Sequence, residues 1–207
     1  MTYRLAIFDL DGTLADSLPW FLGIVNSVAD KHRFRRIAAA EIDTLRGKGT
    51  REIIRHLQVP MWRIPLIARD VRRMKTAALD DIKLFAGVDD MLSRVAGRGV
   101  VCALVSSDSE DNVRRSLGPC ARSISHYACG ASLFGKAKKF AKVMRMTGIA
   151  PAQTIAIGDE VRDAEAAYKA GIAFGAVSWG YATVAALQQT QPALMFTQME
   201  EIAEKLG

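Results

Sequence analysis

The chain has 207 residues, a formal charge of +6 and about half of its residues hydrophobic, with a mean hydropathy near zero. That is enough chain for one well-buried domain and a modest insertion, and no apolar run approaches the roughly 20 residues of a membrane span. The three cysteines, Cys102, Cys120 and Cys129, are odd in number and lack metal-type spacing, so a reducing cytoplasm is the expected compartment.

The run Leu5-Ala6-Ile7-Phe8 predicts a first buried strand, with no signal peptide ahead of it. It leads directly into Asp9-Leu10-Asp11-Gly12-Thr13-Leu14-Ala15-Asp16-Ser17. Two carboxylates two residues apart need a cation or a shared proton to coexist. The carboxyl end of a parallel strand is also where open α/β folds place their chemistry. Gly12 permits close backbone approach. Thr13 and Ser17 can donate hydrogen bonds locally, and Ser17 is expected to cap the helix that follows.

Residues 19–33, 50–57 and 61–79 carry helical periodicity, with Phe21, Leu22, Val25, Val28 and Ala29 forming one apolar stripe. Residues 17–79 therefore read as an all-helical insertion, and residues 80–88 return the chain to the core. The insertion holds 13 Lys and Arg against 5 Asp and Glu, whereas the rest of the chain holds 15 against 17. A funnel for anionic substrates, a nucleic-acid footprint and a solvated helical surface are the three readings of that charge. Nucleic acid is disfavoured, because aromatics other than Phe34 and Trp62 are not interleaved with it. Arg46-Gly47-Lys48-Gly49-Thr50-Arg51 is a basic, Gly-punctuated turn; Arg46 or Lys48 there could grip a second anionic group of a substrate, or the turn is simply exposed. His32, His56 and His126 have no evident partner and are expected at the surface or an interface.

Further strands are predicted at residues 100–105, 124–129, 154–157, 172–178 and 193–196, and helices at 89–96, 110–117, 136–146 and 161–170. Strands alternating with helices imply a parallel sheet with right-handed crossovers. The second strand ends in Ser106-Ser107-Asp108, where a hydroxyl can bind a phosphate oxygen. Phe134-Gly135-Lys136-Ala137-Lys138-Lys139 opens a helix, with Lys136 the preferred phosphate-side cation and Lys138 the fallback, the other lysines of the run being solvated. Ile155-Ala156-Ile157-Gly158-Asp159-Glu160-Val161-Arg162-Asp163 is an apolar strand, a glycine and two aspartates four apart, followed by a helix with a Gly171 stop. Trp179, in Val177-Ser178-Trp179-Gly180-Tyr181, can pack over the sheet edge.

Asp9 to Ser17 resembles motif I, DxDGT[LV]xDS, of the haloacid dehalogenase superfamily, most of whose members are phosphatases. Gly158 to Asp163 resembles its GDxxxD motif, and Ser106 and Lys136 fall in the order of its second and third motifs, although the frequent Lys-Pro pattern is absent. The residues from Val177 to Tyr181 are similar to a loop of phosphoglycolate-phosphatase-like members. The resemblance implies an α/β fold, a Rossmann-like parallel sheet core (residues 1–16 and 80–207) with an inserted all-helical cap domain (residues 17–79). It further implies catalytic Asp9, Asp11, Ser106 and Lys136, with Asp9 the nucleophile and Asp11 the general acid and base. Mg²⁺ would be held by Asp9, by the backbone carbonyl of Asp11 and by Asp159, with Asp163 orienting Lys136 or a metal water. Gly12, Thr13, Ser107, Arg46 and Lys48 would contact a small anionic phosphorylated substrate, possible identities including phosphoglycolate. The alternatives are a phosphomutase using the same residues and a non-catalytic regulatory member. A dehalogenase is disfavoured, because Asp11 supplies an acid that carbon–halogen displacement does not need.

Overall fold

The structure, a computed structural model, describes residues 3–130 and 135–206. Phe134, quoted above at the head of the lysine run, lies outside them. Six parallel strands form one sheet in the order β3-β2-β1-β4-β5-β6: β1 Leu5–Phe8, β2 Val101–Val105, β3 His126–Ala128, β4 Thr154–Gly158, β5 Ala173–Val177 and β6 Leu194–Phe196. The expected alternation of strands and helices, and with it the α/β parallel sheet, is what the chain adopts.

Alternate side chains of each strand serve two separate cores. Ala6, Phe8, Cys102, Leu104, Ile155 and Ile157 face a layer containing α5 (Val88–Gly97), α6 (Glu110–Leu117) and α10 (Glu200–Leu206). Leu5, Ile7, Ala103, Val105, Ala156 and Phe174 face α7 (Lys136–Thr147) and α8 (Val161–Lys169). Both faces being covered, the strands read as continuous apolar runs. Strand order reverses between β1 and β4, so the crevice at their carboxyl ends is the topological switch point.

Between β1 and β2 the chain leaves the sheet through α1 (Leu18–His32), α2 (Ile42–Arg46), α3 (Thr50–His56) and α4 (Ile64–Ala77). The outgoing and returning connectors lie side by side. Ala15 bridges Leu84 in antiparallel fashion, Asp16 N–H donates to Lys83 O at 2.8 Å and Phe85 N–H to Leu14 O at 2.9 Å. Within the insertion the stripe of α1 is only partly covered: Val25, Val28 and Ala29 are buried, while Phe21 and Leu22 remain half-buried.

Two of the three histidines depart from expectation. His32 is buried and its Nε2 lies 3.0 Å from Asp70 Oδ2, joining α1 to α4, because Lys31 at 2.6 Å and Arg73 at 3.9 Å gather on the same carboxylate. His56 pairs with Arg35 and Glu41. The strand expected at residues 124–129 shrinks to β3, since residues Gly118–Ser123 form a 3₁₀ turn that runs into it. The short helices α2, α9 (Val184–Gln189) and α10 carry too few turns to show a period.

Candidate active site

β1 delivers the first carboxylate. Asp9 N–H extends the ladder to Ile157 O at 3.0 Å, and the residue is only 6 % exposed. Burial pushes the Asp9 carboxyl above its ordinary pKa, against the pull of Lys136, whose Nζ stands 2.7 Å from Oδ2. Lys136 occupies the first turn of α7 and also reaches Asp163 Oδ1 at 2.5 Å. Burial works against its charge, but Asp163 and Asp9 outweigh it and hold the ammonium above its ordinary pKa. Lys138, the fallback, is exposed. Lys139 is not a solvated lysine of the run: its Nζ donates to Ser106 O at 2.5 Å and Gly130 O at 2.6 Å, tying the loops after β2 and β3 together.

The loop after β1 turns on Gly12, whose φ is +75°. A Cβ at Gly12 would fall inside contact distance of Asp159 Oδ2, so only glycine fits. Thr13 is fully buried and donates its hydroxyl to Asp159 Oδ1 at 2.7 Å, so that hydroxyl serves the carboxylate rather than a ligand. Ser17 makes no side-chain cap to α1; buried, it meets the Tyr181 hydroxyl at 3.0 Å instead. Trp179 donates its indole N–H to Thr13 O at 3.1 Å and packs edge-on against Phe85.

Asp159, at the end of β4, has no exposed surface. Its Oδ2 accepts the Tyr181 N–H at 2.7 Å. Burial, then Glu160, Asp163 and Asp9, push its carboxyl well above the usual range. Asp163 Oδ2 accepts the N–H groups of Asp159 and Glu160 at 3.2 and 3.1 Å, closing the start of α8 as a capping box. Among the described residues, Asp9, Asp159 and Asp163 form the group whose oxygens, all within 4.8 Å of one another, could hold a metal ion. The donors are all hard carboxylate oxygens, the set that suits Mg²⁺ or Ca²⁺. When ionised, Asp9, Asp159, Glu160 and Asp163 carry four negative charges beside Lys136 and Arg162, with Lys139 also acting on Asp9. That anionic excess would favour a bound cation.

Asp11 is turned the other way. Both of its oxygens lie 2.7 Å from Nζ of Lys75, a residue of α4 that is 5 % exposed. The same Nζ stands 3.2 Å from Asp108 Oδ2. Burial disfavours the Lys75 charge, yet Asp11 and Asp108 hold its pKa above the ordinary value. Sequence reasoning missed Lys75 and gave Asp108 no role, since the partners are remote in the chain. Asp108 Oδ1 accepts from Ser109 N–H at 2.8 Å and Asn112 Nδ2 at 2.9 Å, and Asn112 also donates to Thr76 of α4 at 2.7 Å.

A cavity of about 410 Å³ opens between sheet and insertion and is lined by Asp9, Asp11, Ser106, Ser107, Lys136 and Arg162, with residues 49–52 on the insertion side. Ser106 is buried and its Oγ accepts the Asp108 N–H at 3.1 Å; Ser107 is exposed. Arg162 is paired with Glu160, and its Nε has no hydrogen-bond partner among the described residues. Its position one residue before Asp163 was the available signal. Arg46 and Lys48 line a separate cavity of about 90 Å³ rather than this one. The turn instead presents Gly49, Thr50 and Arg51 to the larger space.

Residues 6–177 match the family described as haloacid dehalogenase-like hydrolase. A phosphoglycolate phosphatase of Synechococcus elongatus is 32% identical over 177 residues, covering 84% of this chain and 84% of that protein. A phosphoglycolate phosphatase of Xanthomonas campestris pv. campestris is 30% identical over 192 residues, covering 86% and 84%. Among solved structures, a haloacid dehalogenase-like family hydrolase of Streptococcus pneumoniae superposes with a TM-score of 0.81 at 20% identity, over 99% of both chains.

Proposed function

This chain belongs to the haloacid dehalogenase-like hydrolases, and from that premise we propose that it is a Mg²⁺-dependent phosphatase of a small phosphomonoester, with phosphoglycolate the first substrate to test. The observation that carries the reading is the buried Asp9 carboxylate, 2.7 Å from Lys136 at the switch point and grouped with Asp159 and Asp163. The names of the relatives support the substrate class.

In this reading an Asp9 oxygen attacks phosphorus in line with the leaving oxygen. The bond from phosphorus to Asp9 forms, the bond to the leaving oxygen breaks, and Asp11 gives that oxygen its proton. Water then attacks the aspartyl-phosphate, loses a proton to Asp11 and releases inorganic phosphate, restoring Asp9. Lys136 and Ser106 offset charge on the transferring group's oxygens, which is most of what phosphoryl transfer asks of a protein. Mg²⁺ held by Asp9 and Asp159 would neutralise further charge there. The helical insertion acts as a cap that excludes water during the first step. For Asp11 to reach a leaving group, Lys75 has to give up one of its two oxygens.

The test is phosphate release from a panel of phosphomonoesters, with Mg²⁺ and with EDTA, beside Asp9→Asn. Release that needs the metal and disappears in folded Asp9→Asn is the expected outcome. Transfer from a bisphosphate to a sugar in place of water would assign a mutase, and no transfer from any ester would remove the catalytic reading.

A further inference from the structure

Arg46 lies outside the active-site cavity, yet its guanidinium is committed at the seam between cap and core. Nε donates to Tyr181 O at 2.9 Å and Nη2 to Gly180 O at 3.1 Å, while Nη1 approaches Asp43 Oδ1 at 3.4 Å. The planar fork of an arginine suits two neighbouring carbonyls in a way a lysine cannot reproduce. The loop answers through Thr183, whose N–H donates to Arg46 O at 3.2 Å.

The same loop reaches into the active site. Tyr181 N–H donates to Asp159 Oδ2 at 2.7 Å, and Ala182 N–H donates to Asp159 O at 3.2 Å. The Gly180 carbonyl and the Tyr181 N–H belong to one peptide unit. That unit is planar and trans, so its two polar groups point in opposite directions and turn together. One end is held by Arg46 of the cap, the other holds Asp159. A cation on the carbonyl also polarises the N–H and strengthens its bond to the carboxylate. Gly180 lies so close that a Cβ there would collide with Asp159, so the peptide has little room to swing away.

We propose that Arg46 is a positioning residue for Asp159: through the Gly180–Tyr181 peptide, docking of the cap orients the carboxylate that receives the divalent cation, so cap docking and cation binding are coupled. The inference rests on the cation site of the preceding section and adds a residue to it. Because coupling is reciprocal, the bound cation favours the docked cap as much as the docked cap favours the cation.

The test is direct binding of Mn²⁺ to the full chain without substrate, followed by loss of the free-ion electron paramagnetic resonance signal. Wild type is compared with Arg46→Met, Arg46→Lys and Asp159→Asn, each checked for native circular dichroism. Arg46→Met is expected to weaken Mn²⁺ binding by about five-fold or more. Arg46→Lys keeps the charge but not the fork, and should recover part of the loss. In turnover, the metal concentration for half-maximal rate should rise more than the substrate KM. Folded Arg46→Met that binds Mn²⁺ within about two-fold of wild type, while Asp159→Asn loses it, overturns this inference and leaves the cation site standing. Wild-type binding by Asp159→Asn overturns the cation site itself. If Arg46→Met does not fold, the comparison passes to Arg46→Lys, and wild-type affinity in that variant refutes the need for the fork.

Discussion

Replacing Lys75 with Met removes the cation that the cap inserts between Asp11 and Asp108 and keeps most of its length. The cost falls unevenly on the two partners. The Asp11 side chain is 27% exposed and can take up water in place of the ammonium. The Asp108 side chain is 3% exposed, its Oδ1 keeps the Ser109 and Asn112 donors, and its Oδ2 has no hydrogen-bond partner of its own among the described residues. An orphaned buried carboxylate oxygen costs about 1–3 kcal/mol. We take about 2 kcal/mol for Lys75→Met, which in a chain of this size lowers the melting temperature by about 4–8 °C. The assay is a double-mutant cycle by urea unfolding of wild type, Lys75→Met, Asp108→Asn and the double variant. Sites without contact would add to within about 0.5 kcal/mol, whereas this pair is expected to show a coupling of about 1 kcal/mol or more. A Lys75→Met melting temperature within about 1 °C of wild type, together with additive single changes, would refute the view that this contact docks the cap.

Gly12→Ala forces a side chain into φ +75° and against Asp159 Oδ2, so unfolding free energy should fall by more than the ~1–2 kcal/mol of left-handed strain, and the response to Mg²⁺ should fall with it. Wild-type urea stability and metal response in Gly12→Ala would contradict the packing described here. Asp70 is held below the ordinary carboxylate pKa first by its hydrogen bond from Lys31, with His32 and Arg73 contributing. A depressed carboxyl stabilises the fold above its unfolded pKa and loses that contribution as pH falls through the folded value. Amide-exchange protection in α1 and α4, relative to the intrinsic rate at each pH, should therefore fall below the ordinary carboxylate range, and Asp70→Asn should flatten that acid limb; an unchanged limb in Asp70→Asn would exclude the pair as its source.

The parts of the site carried by contiguous sequence were legible. β1 and α6 have the expected bounds, because a wholly buried four-residue run and a Ser109 cap accepting from Asn112 N–H are local signals. Asp9, Asp159, Asp163 and Lys136 meet because each sits at the end of its own strand or the start of its own helix, and a parallel sheet brings those ends to one edge. Lys75 was illegible for the opposite reason. Its partner Asp11 is 64 residues away, and a lysine in a helix that also carries Arg69, Arg72 and Arg73 has no pattern that marks it as buried. Arg46 misled for a related reason: a basic residue before a Gly-rich turn reads as a ligand contact, whereas the carbonyls it meets lie beyond β5 and carry no side-chain signature.

Lys75 and Arg46 also say something about how the cap can move. The insertion touches the core at these places through ions, carbonyls and hydroxyls, joined by Thr76 to Asn112 and Ser17 to Tyr181, while Trp20 of α1 packs on the core and Phe21 meets the Tyr181 ring at 5.9 Å. Polar contacts exchange readily for water, so the cost of opening falls chiefly on the apolar contacts of Trp20 and Phe21. The zipped connectors at Ala15 and Leu84 stay with the core and keep the two halves in register. Of the polar contacts, Lys75 sits on the carboxylate that would serve the leaving group and Arg46 acts on the one that would hold the cation. A cap attached in this way, when it docks, places Lys75 on Asp11 and Arg46 on the peptide that holds Asp159. Lys75→Met and Arg46→Met should therefore differ in degree: the first loosens the cap but leaves the Arg46 contact to the Gly180–Tyr181 peptide, so it should lower Mn²⁺ affinity less than the second, which removes that contact. Equal effects of both variants on Mn²⁺ binding would mean that the cap acts as one block, without the division of labour that the two contacts imply.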